Sequence, residues 1–201
     1  MGPQWLSDLA SSLWPLYSNV VPFPEATVLV RYMDSGYAVL IPYDCDKNHE
    51  PAMRKGHGAH WSLITGFLYV EDSSTVIREA STNLHVENED AFYVFAHHGK
   101  SKHMGLWSYS TLRRSSMQMF EVGCQRSTCD FIVPVDGLDQ MRGKCVLLAK
   151  EKFLENGHFY YEWTPIVAVI PLFVSSISAF AVKVYFDAVE KLKHNRRILV
   201  P

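Results

Sequence analysis

Apolar residues in this chain come in short blocks split by turn-forming residues, a pattern of strands more than of long helices. Tyr37–Tyr43 is apolar and bounded by Gly36 and Pro42, and it predicts a strand. His60–Val70 predicts a second, and Asp90–His97, rich in aromatic and β-branched residues, a third. Asp130–Val135 and Cys145–Ala149 are further strand candidates, while Thr75–Ala80 and Leu84–Val86 carry weaker signals. Three helices are expected before residue 150. Trp5–Leu16 is amphipathic and ends at Pro15. Glu25–Asp34 has Gly36 placed to cap it, and Trp107–Met119 is partly helical from a cap at Ser108 or Ser110. Strands that succeed one another without regular alternation with helices predict an α+β domain, dominated by antiparallel strands from Tyr37 to Ala149.

The pattern changes near residue 150. Trp163–Val182 is free of charged residues, with Tyr161 and Trp163 at one end and Lys183, Lys191, Lys193, Arg196 and Arg197 beyond the other. That arrangement fits a marginal membrane span, and it fits equally a helix packed on the domain; Pro165, Pro171 and three serines weaken the first reading. Either way a helix is expected from about Ile166 to His194. The chain thus divides into a short helical N-terminal segment (1–36), a β-rich region (37–150) and a tail with an apolar helix (151–201).

The 201 residues suffice for one domain with a core. A formal net charge of −2 provides no field for non-specific nucleic-acid binding, so no nucleic-acid partner is expected. Four cysteines, Cys45, Cys124, Cys129 and Cys145, are too few for a disulfide scaffold at this length, and Cys124 and Cys129 lack a second ligand pair at zinc spacing. The N-terminus has no basic segment leading into a long apolar stretch, so a secretory signal is not expected and a cytoplasmic location fits best.

Candidate chemistry concentrates between Ile41 and Phe67. A strand leads into a loop dense in Asp44, Asp46, Asn48, His49 and Glu50, which closes at Gly56-His57-Gly58-Ala59-His60 before the next strand. His60 can act as a general base, because an imidazole titrates near neutrality and a strand start fixes its backbone. Gly56, Gly58 and Ala59 leave room for a substrate backbone. A satisfied histidine at a strand edge would look the same from the motif alone. The loop lacks the glycine and distal glutamate of a calcium loop, and the spacing of His49, Glu50, His57 and His60 is not that of a helical zinc motif. It reads as a loop knitted by Asx-type hydrogen bonds, with some members facing substrate; no metal and no cofactor are called for. Cys45 lies between Asp44 and Asp46, whose carboxylates disfavour a thiolate.

Several ordered blocks resemble one family. Leu40-Ile41-Pro42-Tyr43-Asp44, Asn48-His49-Glu50-Pro51, Arg54-Lys55-Gly56-His57, Ala59-His60-Trp61, Gly99-Lys100-Ser101, Leu106-Trp107-Ser108-Tyr109, Ser115-Ser116-Met117-Gln118-Met119 and Val133-Pro134-Val135 resemble the actin maturation proteases over roughly Glu25 to Leu148. These are papain-like cysteine aminopeptidases that remove the acetylated N-terminal residue of immature actin. The resemblance implies a papain-like fold, here mainly its antiparallel β half with a C-terminal helical tail, and it places His60 on the catalytic histidine. His98 falls in the region of the third, orienting group. Asn48, Arg54, Lys55, Lys100 and Lys102 would line a cleft for the acidic actin N-terminus. The family nucleophile sits in a Gly-Pro-x-Cys-Gly type turn before the Ile41 block, and none of the forty residues preceding that block is cysteine. The proline-rich segment suited to profilin is also missing. The expectation is therefore the histidine-bearing half of a thiol protease, inactive alone. The alternative is an inactive isoform that binds actin or is anchored to a membrane.

Overall fold

The computed structural model describes residues 1–70, 84–123 and 135–150. In chain order the elements are α1 (Pro3–Leu13), β1 (Leu16–Pro22), α2 (Ala26–Asp34), β2 (Ala38–Asp44), β3 (Ala59–Tyr69), a 3-10 turn (Glu89–Ala91), β4 (Phe92–His97), β5 (Gly105–Ser108), α3 (Tyr109–Met117) and β6 (Lys144–Lys150). The strands form one sheet in the order β1-β6-β2-β3-β4-β5, and every pairing is antiparallel. The α+β class expected from the sequence is what the described residues adopt.

Local chemistry sets most boundaries. Pro3 opens α1, where its missing N–H has no helical partner to lose. α2 ends in a Schellman arrangement: Gly36 has φ +79°, its N–H donates to the Met33 carbonyl, and the Tyr37 N–H donates to that of Tyr32. β4 begins after a turn in which the Asn88 side chain accepts from the Asp90 N–H.

Two strands were not anticipated. The N-terminal segment, expected to be helical only, supplies β1, which pairs along its whole length with β6 from Leu16↔Lys150 to Pro22↔Lys144. Ser18 and Asn19 interrupt its apolar run, so the tertiary pairing rather than local pattern makes it a strand. Gly105–Ser108, whose Trp107 was assigned to a helix, forms the edge strand β5 against β4. Leu84–Val86 is irregular, although Val86 is buried and its N–H donates to Thr27 Oγ1. The candidates Thr75–Ala80 and Asp130–Val135, the helix from Ile166 and the apolar stretch Trp163–Val182 lie wholly or mainly outside the described residues. No helix among the described residues is long and apolar enough to cross a membrane.

Alternation along the strands sends side chains to two cores. One face carries Val39, Ile41, Tyr43, Ile64, Val94, Trp107 and Leu147, covered by Leu29 and Val30 of α2 and by Tyr109 and Leu112 of α3. The other carries Leu40, Trp61, Leu63 and Val146, covered by Leu6 of α1 and by Met119, Leu138 and Met141. Arg113 stitches the first core to its rim, lying over the Phe23 and Tyr109 rings while donating to the Pro24 carbonyl and Glu89. The candidate site sits where β2 leaves and β3 enters the sheet.

Candidate active site

The loop between β2 and β3 is built around Asp44, which is fully buried. Its Oδ2 accepts from the Arg54 N–H (2.6 Å), the Gly56 N–H (2.9 Å) and Gln118 Nε2 (2.9 Å), and its Oδ1 accepts from the Gly58 N–H (2.7 Å). Ser115 clamps the Asp44 main chain, receiving a bond from its N–H and donating to its carbonyl. A buried carboxylate is tolerated only when its lone pairs are met by donors, and here three donors are the backbone of the loop itself and the fourth is Gln118. Two glycines make this possible. Gly56 has φ +102°, and a Cβ there would come within 2.7 Å of the Glu121 carbonyl; a Cβ at Gly58 would collide with the Cys45 carbonyl oxygen. Asp46 organises the outer part of the loop, its Oδ1 accepting from the Asn48 and Glu50 N–H groups. The expected Asx-type knitting is therefore present.

This scaffold delivers His60 to the start of β3, half-buried. His60 Nε2 lies 2.6 Å from the main-chain oxygen of His98. A carbonyl can only accept, so Nε2 carries a proton in this contact. Three imidazoles gather here. His49 stacks on His98 with ring centres 5.2 Å apart, His49 and His60 are 6.1 Å apart, and Trp107 stacks on His98 at 6.0 Å. His49 adopts φ 64°, and its carbonyl accepts from the buried Tyr43 hydroxyl. Their nitrogens turn to separate partners: His49 Nδ1 lies 3.9 Å from Cys45 Sγ, and His98 Nδ1 accepts from the Lys100 N–H. No three His, Cys, Asp or Glu side chains among the described residues could hold a metal ion.

Burial decides the charge states. His98 is only 6 % exposed. Loss of solvent lowers its pKa to about 4, helped by the neighbouring His49, His60, His97 and Lys100 charges. His97, on the opposite face of β4, is fully buried with neither ring nitrogen hydrogen-bonded, and burial lowers its pKa too. Cys145 is buried in β6 and its thiol is pushed up to about 12, which makes it an inert core group. Cys124 and Cys129 lie outside the described residues.

His60 and His98 are thus brought into contact, but through the His98 main chain rather than its ring. The proposed cleft cations meet different partners. Arg54 is exposed and donates to the Cys45 carbonyl. Lys55, at φ 59°, is paired with Glu121 at 3.4 Å, and Glu121 also meets His57 at 2.9 Å. Hydrogen bonds from His57 and Lys55 hold the Glu121 carboxyl below its ordinary value. Lys100 acts on His98 from the β4–β5 turn, and Lys102 lies exposed two residues on. Asn48 is exposed at the tip of the other loop. Sequence reasoning missed Gln118 and Ser115 as supports of Asp44, and His49 and Trp107 as the walls around His98. The only signal for them was their membership of the matching blocks.

Residues 2–68 match the family model described as actin maturation protease-like, C-terminal domain. Relatives named actin maturation protease match over longer stretches. The Drosophila melanogaster protein is 33% identical over 121 residues, covering 58% of this chain and 39% of its own length. The Homo sapiens protein is 31% identical over 158 residues, covering 68% of this chain and 45% of its own length. The Xenopus tropicalis protein is 34% identical over 123 residues, covering 55% and 41%. Over this part, the chain belongs to the actin maturation protease-like family. It spans less than half the length of these curated relatives. No solved structure matches it. His60 falls inside the stretch that the family model covers.

Proposed function

We propose that this chain carries the histidine-bearing half of a papain-like cysteine aminopeptidase that trims the acetylated N-terminus of immature actin. The observation that carries the reading is His60. It stands half-buried at the start of β3, on a loop fixed by a buried carboxylate, inside the stretch matched by the protease family. In the proposed reaction, Nδ1 of His60 takes the proton of a cysteine thiol contributed by a separate segment. The thiolate attacks the carbonyl of the acetylated first residue. His60 then returns the proton to the leaving amine, which becomes the new actin N-terminus, and water hydrolyses the thioester. Lys100 and Arg54 supply positive charge for the acidic peptide, with Asn48 and Lys102 further out. Lys55 contributes less, because Glu121 already partners it. The proposed setting is cytoplasmic, and neither metal nor cofactor takes part.

The test combines this chain with the remaining part of the human relative and an acetylated, acidic actin N-terminal peptide. Release of the acetylated residue should appear only in the mixture, and His60→Ala should abolish it while thermal unfolding stays cooperative. Lys100→Glu should raise KM with little change in kcat. Undiminished turnover in His60→Ala would remove His60 from the mechanism.

A further inference from the structure

Thiol–imidazole peptidases need a third group that fixes which imidazole nitrogen carries the proton. Around His60 the conventional candidates are side chains, and the nearest in sequence register is the His98 ring. That ring is otherwise engaged. Its Nδ1 accepts from the Lys100 N–H, and its faces pack against His49 and Trp107. The atom that meets His60 Nε2, at 2.6 Å, is the His98 carbonyl oxygen.

Register explains why this carbonyl is available. The β3–β4 ladder runs from Tyr69↔Phe92 to Leu63↔His97 and stops there. One residue further, Gly99 takes φ +72° and turns the chain away. The His98 carbonyl therefore falls just past the last strand pair, where a buried acceptor needs a donor from elsewhere. His60, three residues before Leu63 on β3, provides it. The His98 side chain is 6 % exposed and stacks on the His49 and Trp107 rings.

We propose that the positioning group for His60 is the main-chain carbonyl of His98, and that the His98 imidazole acts only as a neutral wedge holding that carbonyl in place. This rests on the reading of His60 as the base and deepens it. A carbonyl fixes a proton on Nε2, as a carboxamide or carboxylate would. Unlike a carboxylate, it adds no negative charge beside a cleft proposed to receive an acidic peptide.

The tautomer can be read on this chain alone, without peptide or nucleophile. Long-range proton–nitrogen correlation NMR at neutral pH should show His60 with a pyrrole-type Nε2 and a pyridine-type Nδ1. A pyridine-type Nε2, or two averaged nitrogens, would overturn the proposal. His98→Phe keeps a flat ring in the wedge but removes both nitrogens, and the His60 tautomer should be retained in it; a change to Nδ1–H there would hand the role back to the imidazole. Replacing Gly99 by glycolic acid turns the His98–Gly99 amide into an ester, whose carbonyl is a poorer acceptor. The tautomer ratio should then move toward Nδ1–H by roughly tenfold, the factor carried by one hydrogen bond of ordinary net strength. An unchanged ratio in the ester would count against the carbonyl. An Nε2–H tautomer in a mixture that never cleaves the peptide would support this inference and sink the peptidase reading instead.

Discussion

At the scale of single residues, three buried polar groups, Asp44, His97 and His98, carry the first predictions. Asp44 takes four N–H donors on one carboxylate, three from the loop backbone and one from Gln118. Asp44→Asn keeps the shape but removes the charge and turns an NH2 toward backbone donors. Hydrogen bonds to a charged acceptor contribute about 1.5–3 kcal/mol each, so a loss of about 3 kcal/mol or more is expected in urea unfolding. Gln118→Ala removes one donor and should cost far less. His98 and His97 give the second prediction. Both are held neutral by burial, His98 with a pKa lowered to about 4 and His97 lowered also. The unfolded chain takes up protons below about 6.5, whereas the folded chain does so at His98 only near about 4. Stability is therefore full above about pH 6.5 and declines as pH falls toward about 4, by roughly 3 kcal/mol from His98 alone. A urea midpoint that stays flat across that acid window would contradict the neutral buried state. The sequence could place His60, His98 and Asp44 in one region, because the residues flanking each are distinctive. It could not show what joins them. The donors to Asp44 come from positions 54, 56, 58 and 118, and the bond that holds His60 ends on a main-chain atom that any residue possesses.

At the scale of elements, glycines separate conformational cost from collision. Gly36 closes α2 at φ +79°, and a Cβ there would meet nothing within 4 Å. Gly36→Ala therefore costs only the left-handed backbone, about 1 kcal/mol, and Gly36→Asn should cost less. A Cβ at Gly58 would meet the Cys45 carbonyl oxygen and, at 3.0 Å, Asp44 Oδ1. Gly58→Ala should consequently displace the loop that carries His60, with a larger fall in thermal midpoint than Gly36→Ala; equal shifts would show that the loop gives way freely. Element legibility follows the same division between local and distant causes. α1, α2, β2, β3, β4 and β6 were readable because periodicity, prolines and capping residues act within a few positions. β5 is four residues long and β1 has a polar centre, so neither carries a local signal. Both are strands because a neighbour pairs with them, β4 in one case and β6 in the other.

At the scale of the whole molecule, the sheet presents the base proposed above, and the cysteines among the described residues decide the last prediction. Purified on its own, the 201-residue chain should not cleave an acetylated actin peptide. Among the described residues the cysteines are Cys45 and Cys145. Cys145 is excluded by burial in β6 and by a thiol pushed up to about 12. Cys45 sits just past β2, bridged to Pro51, with Asp44 and Asp46 on either side and no helix starting at its position. The His49 imidazole lies 3.9 Å from its Sγ. An efficient peptidase thiol is usually stabilised as thiolate by a helix N-terminus or a cation. Loss of the nucleophile costs roughly a millionfold in kcat in a well-characterised triad enzyme, so background turnover should be undetectable. Incubation of the wild-type chain and of Cys45→Ala with the peptide should give the same blank result. Robust cleavage that disappears in Cys45→Ala would mean that the Asp44 loop itself supplies the attacking sulfur, with His49 as its base. The division of the active site between this sheet and another segment would then be wrong.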